Sequence, residues 1–353
     1  MVLDSDGSGR YLWSVRPPLM TTTPLEAPGP REPSVPLAPG HARATTLVLI
    51  AFAGVYIVWG STYLAIRLGI ESFPPFILAG LRHLCAGLIL YPIFRQKTGI
   101  RPSAGHWRTA LVTGFLLLCV GNGGVSWAEQ TVPSGVTALL VATVSLWLVI
   151  LDWLRPDGVR PVFRVVVGLV MGFGGLVLLV GPAHLGGSGR VDPGGAGILV
   201  FASLAWACGS LYSKHGGMPS SPMLTVAMQC LAGGTTLLLV ALFTGEFRAF
   251  HFAAISARSW LALGYLIVFG SGIGFSAYIY ILQKSTAARV GTYAFVNPVV
   301  ALFLGWLLAG EAISLRTMFA AGVIVTAVIL VITAPHPAPA RAVKDALPAA
   351  NEG

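Results

Sequence analysis

The groups best placed to bind a solute are polar residues set within long apolar stretches, and Asn297-Pro298 is the clearest case. Proline has no N–H and its ring clashes with the preceding turn, so Pro298 should free backbone carbonyls beside the Asn297 amide. Within a membrane, such a break predicts a ligand site. The alternative is a structural kink whose polar groups are satisfied by neighbouring helices.

Two charged residues, Arg82 and Glu129, lie within or at the ends of apolar stretches and are candidates for substrate binding or ion coupling. A guanidinium at that depth must face water, a partner or a substrate anion. A structural arginine that extends to the outer interface is the alternative. We expect Glu129 to pair with Arg82, and His83 to face another side of the same helix. Glu129 is also a candidate proton-binding group, although simple facilitated diffusion fits equally well.

Aromatic side chains supply most of the other candidates for a solute cavity. Trp127 and Tyr280 occupy matching places in the two parts of the chain and could gate opposite faces, unless they belong to interfacial aromatic belts. Asn122 lies in a glycine cluster and offers a polar contact at moderate depth. The predicted substrate-binding residues are Trp59, Tyr63, Asn122, Trp127, Tyr212, Tyr280, Tyr293, Asn297 and Pro298.

The composition places these residues on membrane helices. Charged residues make up 10% of the chain and hydrophobic residues 55%, and the mean hydropathy is +0.78. A soluble fold cannot bury that much apolar surface, and stretches of about 20 apolar residues are what crossing the bilayer core requires. We predict an all-α integral membrane protein with ten transmembrane helices near residues 45–66, 75–94, 107–128, 134–154, 162–181, 195–213, 222–244, 258–282, 288–309 and 314–333.

The predicted spans form one five-helix unit written twice. Gln130 recurs at the matching place as Gln283, and Gly60-Ser61-Thr62-Tyr63 recurs as Gly209-Ser210-Leu211-Tyr212. A unit with an odd number of crossings enters the membrane upside down the second time, which predicts two inverted repeats. The predicted organisation is a disordered cytoplasmic tail at 1–44, repeats at 45–182 and 195–333, and a disordered cytoplasmic tail at 334–353.

The net charge of +9 indicates topology, and no nucleic-acid partner is predicted. Lys and Arg concentrate in the loops on the same side as the N-terminus, which predicts a multi-pass protein of the cytoplasmic membrane with both termini in the cytoplasm. Cysteines and histidines lack metal-ligand or disulfide spacing, and no phosphate-binding loop or metalloprotease motif occurs. We therefore predict no cofactor, no metal and no enzymatic activity.

Four segments carry a family resemblance: Tyr56–Arg67 (YIVWGSTYLAIR), Ala79–His83 (AGLRH), Trp127–Gln130 (WAEQ) and Thr292–Glu311 (TYAFVNPVVALFLGWLLAGE). In these segments, and in their order over residues 48 to 332, the chain resembles the EamA family of the drug/metabolite transporter superfamily. The resemblance implies a ten-helix carrier that exports amino acids, other metabolites or toxic small molecules across the cytoplasmic membrane.

One departure from the family pattern lies in the fourth span, where members often carry a proline. Ser145 occupies the position that pairs with Pro298, and the first half also lacks the Gly310-Glu311 ending of the ninth span. Either the two halves gate differently, or the fourth span bends through Gly and Ser.

These observations predict a secondary transporter that exports a small organic solute by rocking two five-helix halves around a central cavity. Uptake, and a lipid-linked or nucleotide-linked substrate, are the alternatives within transport. A non-transporting membrane scaffold or sensor is the alternative from another class. The expected partners are a small-molecule substrate and the lipid bilayer; a monomer would suffice, and a homodimer stays open.

Overall fold

The structure, a computed structural model, describes residues 39–132, 134–156, 158, 160–180, 192–309 and 314–335. Apart from the first residues of α1, all of these belong to the compact unit Arg43–Gly353. Helices are the regular elements of these ranges, and no strand occurs in them. Most of both predicted tails, and Gly310-Glu311, lie outside the described residues.

The helices follow one another with short connections. The α-helices are α1 (Pro39–Ile70), α2 (Pro75–Thr98), α3 (Ala104–Gly114), α4 (Gly124–Ala128), α5 (Ser134–Val141), α6 (Val144–Leu154), α7 (Phe163–Val180), α8 (Pro193–His215), α9 (Pro222–Phe243), α10 (Glu246–Ala249), α11 (Ala257–Tyr265), α12 (Phe275–Lys284), α13 (Ala287–Gly291), α14 (Tyr293–Ala309) and α15 (Leu315–Ile332). Two π-helical segments join α-helices end to end: π1 (Phe115–Gly123) follows α3, and π2 (Leu266–Gly274) follows α11.

Eight helical stretches among the described residues are long and apolar enough to cross a membrane, and a shorter apolar helix covers Phe163–Leu179. Large apolar side chains such as Phe163, Phe243 and Leu315 are exposed on the outside of the bundle, as a lipid-facing surface requires. Helices occupy every stretch predicted as a span. The ten-span count and the inverted arrangement remain predictions.

Among the described helices, α2 and α9 pack closely along much of their length. A Cβ atom added at Gly87 would lie 2.7 Å from the backbone nitrogen of Leu231, and one at Gly234 would lie 2.5 Å from that of Leu84. Residue numbers rise along α2 as they fall along α9, so the two helices run antiparallel. Small residues allow this approach, which is how membrane helices gain packing energy where lipid offers no hydrophobic driving force.

Two predicted spans are broken without help from proline. The fourth is divided between α5 and α6 at Ala142-Thr143, and the Ser145 hydroxyl donates to the Gly291 carbonyl at 2.7 Å. The ninth is divided between α13 and α14 at Thr292, whereas α14 continues through Pro298. We predicted the break at Asn297-Pro298. The structure places it at Thr292, because the helix resumes at Tyr293 and continues through the proline.

The π segments are the feature that the apolar pattern did not predict. Each is nine residues long, and each lies in the third helix of its predicted repeat. A π-helix is rare and usually a single turn, because its widened turn packs poorly around its own axis. Clustered glycines, Gly121 and Gly123 in π1 and Gly270, Gly272 and Gly274 in π2, place few side chains on these turns.

Candidate functional site

A cavity of about 90 Å³ lies between helices of both predicted repeats. That volume holds several water molecules or a compact solute. The cavity is lined by Trp59, Thr62, Tyr63, Ile66, Arg82, His83, Leu118, Gly121, Asn122, Val125, Val141, Val144, Ala202, Ser203, Trp206, Gly270, Phe275, Tyr293 and Asn297.

One wall of the cavity is a cluster of aromatic rings centred on Trp59. Its ring meets Trp206 edge to face at 5.6 Å between centroids and Tyr293 at 5.2 Å, and lies 5.0 Å from Tyr278. Trp206 Nε1 donates to the Tyr278 hydroxyl at 3.0 Å. Edge-to-face contacts and satisfied ring donors hold the wall in a fixed shape, which suits an apolar or aromatic solute body.

Each tryptophan of this wall packs against the π segment of the other predicted repeat. Trp59, on α1, donates from Nε1 to the Gly270 carbonyl of π2 at 3.2 Å, and a Cβ at Gly274 would lie 2.5 Å from the same nitrogen. Trp206, on α8, covers π1, where a Cβ at Gly121 would lie 2.8 Å from its Cε3. The glycines are therefore needed as space for the two rings.

The polar side of the cavity is formed by Arg82 and His83, which are 5% and 3% exposed. Arg82 Nε donates to His83 Nε2 at 3.1 Å. Because Nε2 accepts, His83 is neutral with its proton on Nδ1, which donates to the Ser271 hydroxyl of π2 at 3.1 Å. The prediction that His83 faces away from Arg82 was wrong, since both side chains line the cavity.

Arg82 is the only cation among the lining residues, and no carboxylate lines the cavity. The expected ion pair with Glu129 is not formed: the ion pairs among the described residues are Arg155–Asp152 and Arg258–Glu71. Arg82 instead directs Nε to His83. Glu129 lies beyond the lining, where its carboxylate oxygens are buried and accept no hydrogen bond from the described residues.

Asn297 lines the cavity and is 1% exposed. With its amide nitrogen as donor, it bonds to the carbonyls of Tyr56 at 3.3 Å and Tyr293 at 3.0 Å. The side chain thereby ties α14 to α1 and leaves its oxygen unused by these bonds. The Asn122 side chain, on π1, forms a hydrogen bond with His83, whereas its buried Oδ1 accepts none from the described residues.

The structure brings together only part of the predicted substrate-binding set. Trp59, Tyr63, Asn122, Tyr293 and Asn297 line the cavity, whereas Trp127, Tyr212, Tyr280 and Pro298 do not. Tyr212 is 37% exposed. The gating roles of Trp127 and Tyr280 stay predictions, and they would have to act away from the cavity described here.

The sequence reading missed Ser203, Trp206 and Phe275 in the lining. A signal for Trp206 was present, because it lies shortly before the repeated Gly209 segment, much as Trp59 directly precedes Gly60. Ser203 and Phe275 carry no comparable pattern, since both follow from how α8 and α12 are rotated in the bundle.

The model of the EamA-like transporter family matches this chain twice, over residues 46–181 and 194–333. The chain is 39% identical over 294 residues to the "uncharacterized inner membrane transporter YedA" of Escherichia coli strain K12, covering 83% of this chain and 93% of the relative. It is 24% identical over 291 residues to the "uncharacterized transporter YvbV" of Bacillus subtilis strain 168, covering 82% and 92%.

A solved crystal structure with 22% sequence identity superposes with a TM-score of 0.68, covering 82% of this chain and 98% of the other. At that identity the match shows a shared fold alone. Together with the apolar helices, the transporter relatives identify a multi-pass membrane protein, and their names indicate a transporter rather than an enzyme.

Proposed function

Because this chain belongs to the EamA-like transporter family, we propose that it exports a small organic solute across the cytoplasmic membrane by alternating access. The observation that carries the proposal is the buried cavity between the two predicted repeats, with aromatic rings on one side and Arg82, His83 and Asn297 on the other. Such a lining fits a solute with an apolar body and a polar or anionic group.

The size of the cavity favours a compact solute. Pockets for drug-sized ligands usually measure about 300–1,000 Å³, whereas this one measures about 90 Å³. A nucleotide-linked or lipid-linked metabolite would need a far wider opening. An amino acid or a small aromatic metabolite needs a much smaller change in the size of the cavity, so these remain the preferred substrate classes.

Alternating access is supported by the way the two predicted repeats share the cavity. Each contributes one tryptophan, one π segment and one broken helix. Rocking one repeat against the other would slide each tryptophan relative to its π segment, and would open the cavity to one side at a time. Such a cycle needs a single chain, so we propose a monomer as the working unit, with both termini in the cytoplasm.

The test is efflux from proteoliposomes loaded with a mixed pool of amino acids, polyamines and aromatic metabolites. We expect the wild-type protein to release a subset of the pool and Asn297→Ala to release it at least about tenfold more slowly, since the mutation unties α14 from α1 at the cavity. Thr326→Ala is the matched control, because Thr326 is an exposed polar residue of α15 that bonds only to its own helix at the Gly322 carbonyl.

Efflux that is unchanged in Asn297→Ala would remove Asn297 from the site. If the folded wild-type protein neither binds nor releases any member of the pool, the proposal fails and the scaffold alternative gains support. A solute that enters loaded vesicles against its gradient but does not leave them would favour uptake.

A further inference from the structure

Among the described residues, Glu129, which follows the last residue of α4, is a buried acid near Arg82 that the transport proposal leaves unexplained. Both of its carboxylate oxygens are buried, and neither accepts a hydrogen bond within the described part of the chain. A buried carboxylate without such partners is costly as an anion and far less costly as a neutral acid. This environment fits a group that carries a proton in the conformation described.

The charges that act on Glu129 come from two helices. Arg82 on α2 and Arg67 in the last turn of α1 are its cationic neighbours, and Tyr63 on α1 also interacts with it. Asp192, the residue before α8, has a carboxylate that accepts from the amides of Gly194 and Gly195 at the helix start. Arg67 is exposed to solvent, so Arg82 is the buried cation available to Glu129.

Arg82 is the cationic neighbour of Glu129 that also lines the cavity. Its guanidinium lines the cavity, whereas Glu129 does not. Nε is used by His83, while its terminal nitrogens form no hydrogen bond or ion pair with the described residues. A buried guanidinium gains most from one anionic partner at a time, because a second anion, or none, leaves a net charge in a low-dielectric site.

We propose, on the premise of the transport function above, that Glu129 binds a coupling proton and that its carboxylate alternates with the anionic group of the solute as the counter-charge of Arg82. In the loaded carrier the solute anion meets Arg82 and Glu129 holds a proton. In the empty carrier the proton has left and the Glu129 carboxylate meets Arg82. Both states are electrically balanced, so both can cross between the two open forms.

The coupling fixes the stoichiometry and the direction of proton movement. The O–H bond of Glu129 forms with a proton from the aqueous phase that the cavity faces and breaks after the cavity has opened to the opposite phase. One proton therefore travels with one monoanionic solute in the same direction. Where the exterior is the more acidic side, the proton gradient opposes outward movement, so export proceeds only while the outward solute gradient exceeds the proton gradient.

The first measurement is infrared difference spectroscopy of the full chain in lipid nanodiscs as a function of pH. We expect a carbonyl band of a protonated carboxyl group that disappears on alkalinisation and is absent in Glu129→Gln. In Arg82→Gln the band should persist to a pH about 1–3 units higher, because the nearby positive charge is gone. Arg82→Lys, which keeps the charge, and Arg258→Gln, which changes an exposed arginine, should titrate close to wild type.

The second measurement uses proteoliposomes loaded with benzoate, phenylacetate and indole-3-acetate, with the corresponding amides as neutral controls. After subtraction of efflux from protein-free vesicles, where the protonated acids and the amides cross the lipid unaided, an acidic interior should accelerate wild-type efflux of the acids, with a limit of about tenfold in the solute ratio per pH unit for one proton per solute. Efflux by Glu129→Gln should not respond to the gradient.

The outcomes separate the two proposals. A titrating Glu129 band in a protein that moves no solute would overturn the transport function. Solute efflux that ignores the pH gradient, efflux of the amides alone, or the absence of a Glu129 band between about pH 5 and 9 would overturn the coupling. A band that titrates identically in Arg82→Gln would show that Arg82 is not its counter-charge.

Discussion

The two π segments share a length and a place in the predicted repeat, yet they serve the cavity differently. π2 binds its tryptophan through the backbone: the Gly270 carbonyl accepts from Trp59 Nε1 at 3.2 Å, and Ser271 holds His83. π1 only gives Trp206 room at Gly121, because Trp206 Nε1 is satisfied by Tyr278. Where π2 carries the bonded Ser271, π1 carries Asn122, whose side-chain oxygen has no hydrogen-bond partner among the described residues.

This contrast indicates a division of labour between segments of similar shape. A π turn leaves carbonyls outside the regular α-helical ladder, and π2 uses one of them to fix an aromatic wall and the Arg82–His83 pair. π1 instead leaves a polar group facing the cavity. A buried polar atom without a hydrogen bond lowers stability, so its presence indicates a role in binding solute. We therefore expect changes in π2 to damage folding and transport together, and changes at Asn122 in π1 to damage transport alone.

The largest expected effect is that of Gly274→Val in π2. The new side chain would occupy the space of Trp59 Nε1 and Cδ1, which lie 2.5 and 2.7 Å from a Cβ at this position. Overpacking and loss of the Trp59–Gly270 bond should destabilise the protein by about 3 kcal/mol and abolish efflux. Thermal unfolding and proteoliposome efflux measure both effects.

Gly264→Ala in α11 is the control for that change, because a Cβ there meets nothing within 4 Å. Wild-type stability in Gly274→Val would show that Trp59 can move away from π2 at no cost. It would contradict the claim that π2 binds its tryptophan more firmly than π1 does.

A smaller effect is expected for Gly121→Val in π1. Its Cβ would approach Trp206 Cε3 at 2.8 Å, but no bond between Trp206 and π1 would be lost, because Trp206 Nε1 donates to Tyr278. We expect a loss of about 1–2 kcal/mol, measured by thermal unfolding beside Gly197→Ala, whose added Cβ also meets nothing within 4 Å. If Gly121→Val lowers stability as much as Gly274→Val does, the contact of Trp206 with π1 and that of Trp59 with π2 are equivalent.

The smallest change in stability is expected for Asn122→Leu, an exchange of similar shape. Leu would lose the hydrogen bond of the Asn122 side chain with His83 but would also remove an oxygen that accepts no hydrogen bond from the described residues, so the two changes should nearly offset and stability should stay within about 0.5 kcal/mol of wild type while efflux falls. Ser271→Ala is the comparison in π2: losing the His83 bond should cost about 1 kcal/mol. If Asn122→Leu transports normally, π1 has no polar role in the cavity.

Several parts of the site could be found from the sequence because they depend on local rules. Arg82 and Asn297 stand out as polar groups in apolar stretches, and each does line the cavity. The Arg82–Glu129 ion pair failed because its distance depends on how α2 and α4 are rotated, and His83 competes for Arg82 from the adjacent position. Trp206 and Phe275 enter the lining through the rotation of α8 and α12, which apolar periodicity does not specify when all faces are apolar.

The amino-acid order alone sufficed for the membrane class and the positions of the helices, since apolar length is written along the chain. The cavity could not be predicted from the sequence, because it depends on distances between residues that are remote along the chain. Packing settled where the ninth span is divided, which tryptophan lies on which π segment, and that Glu129 stands apart from Arg82. These features depend on the close approach of helices at glycines. Because glycine has no side chain, the sequence pattern does not indicate which helix will pack against it.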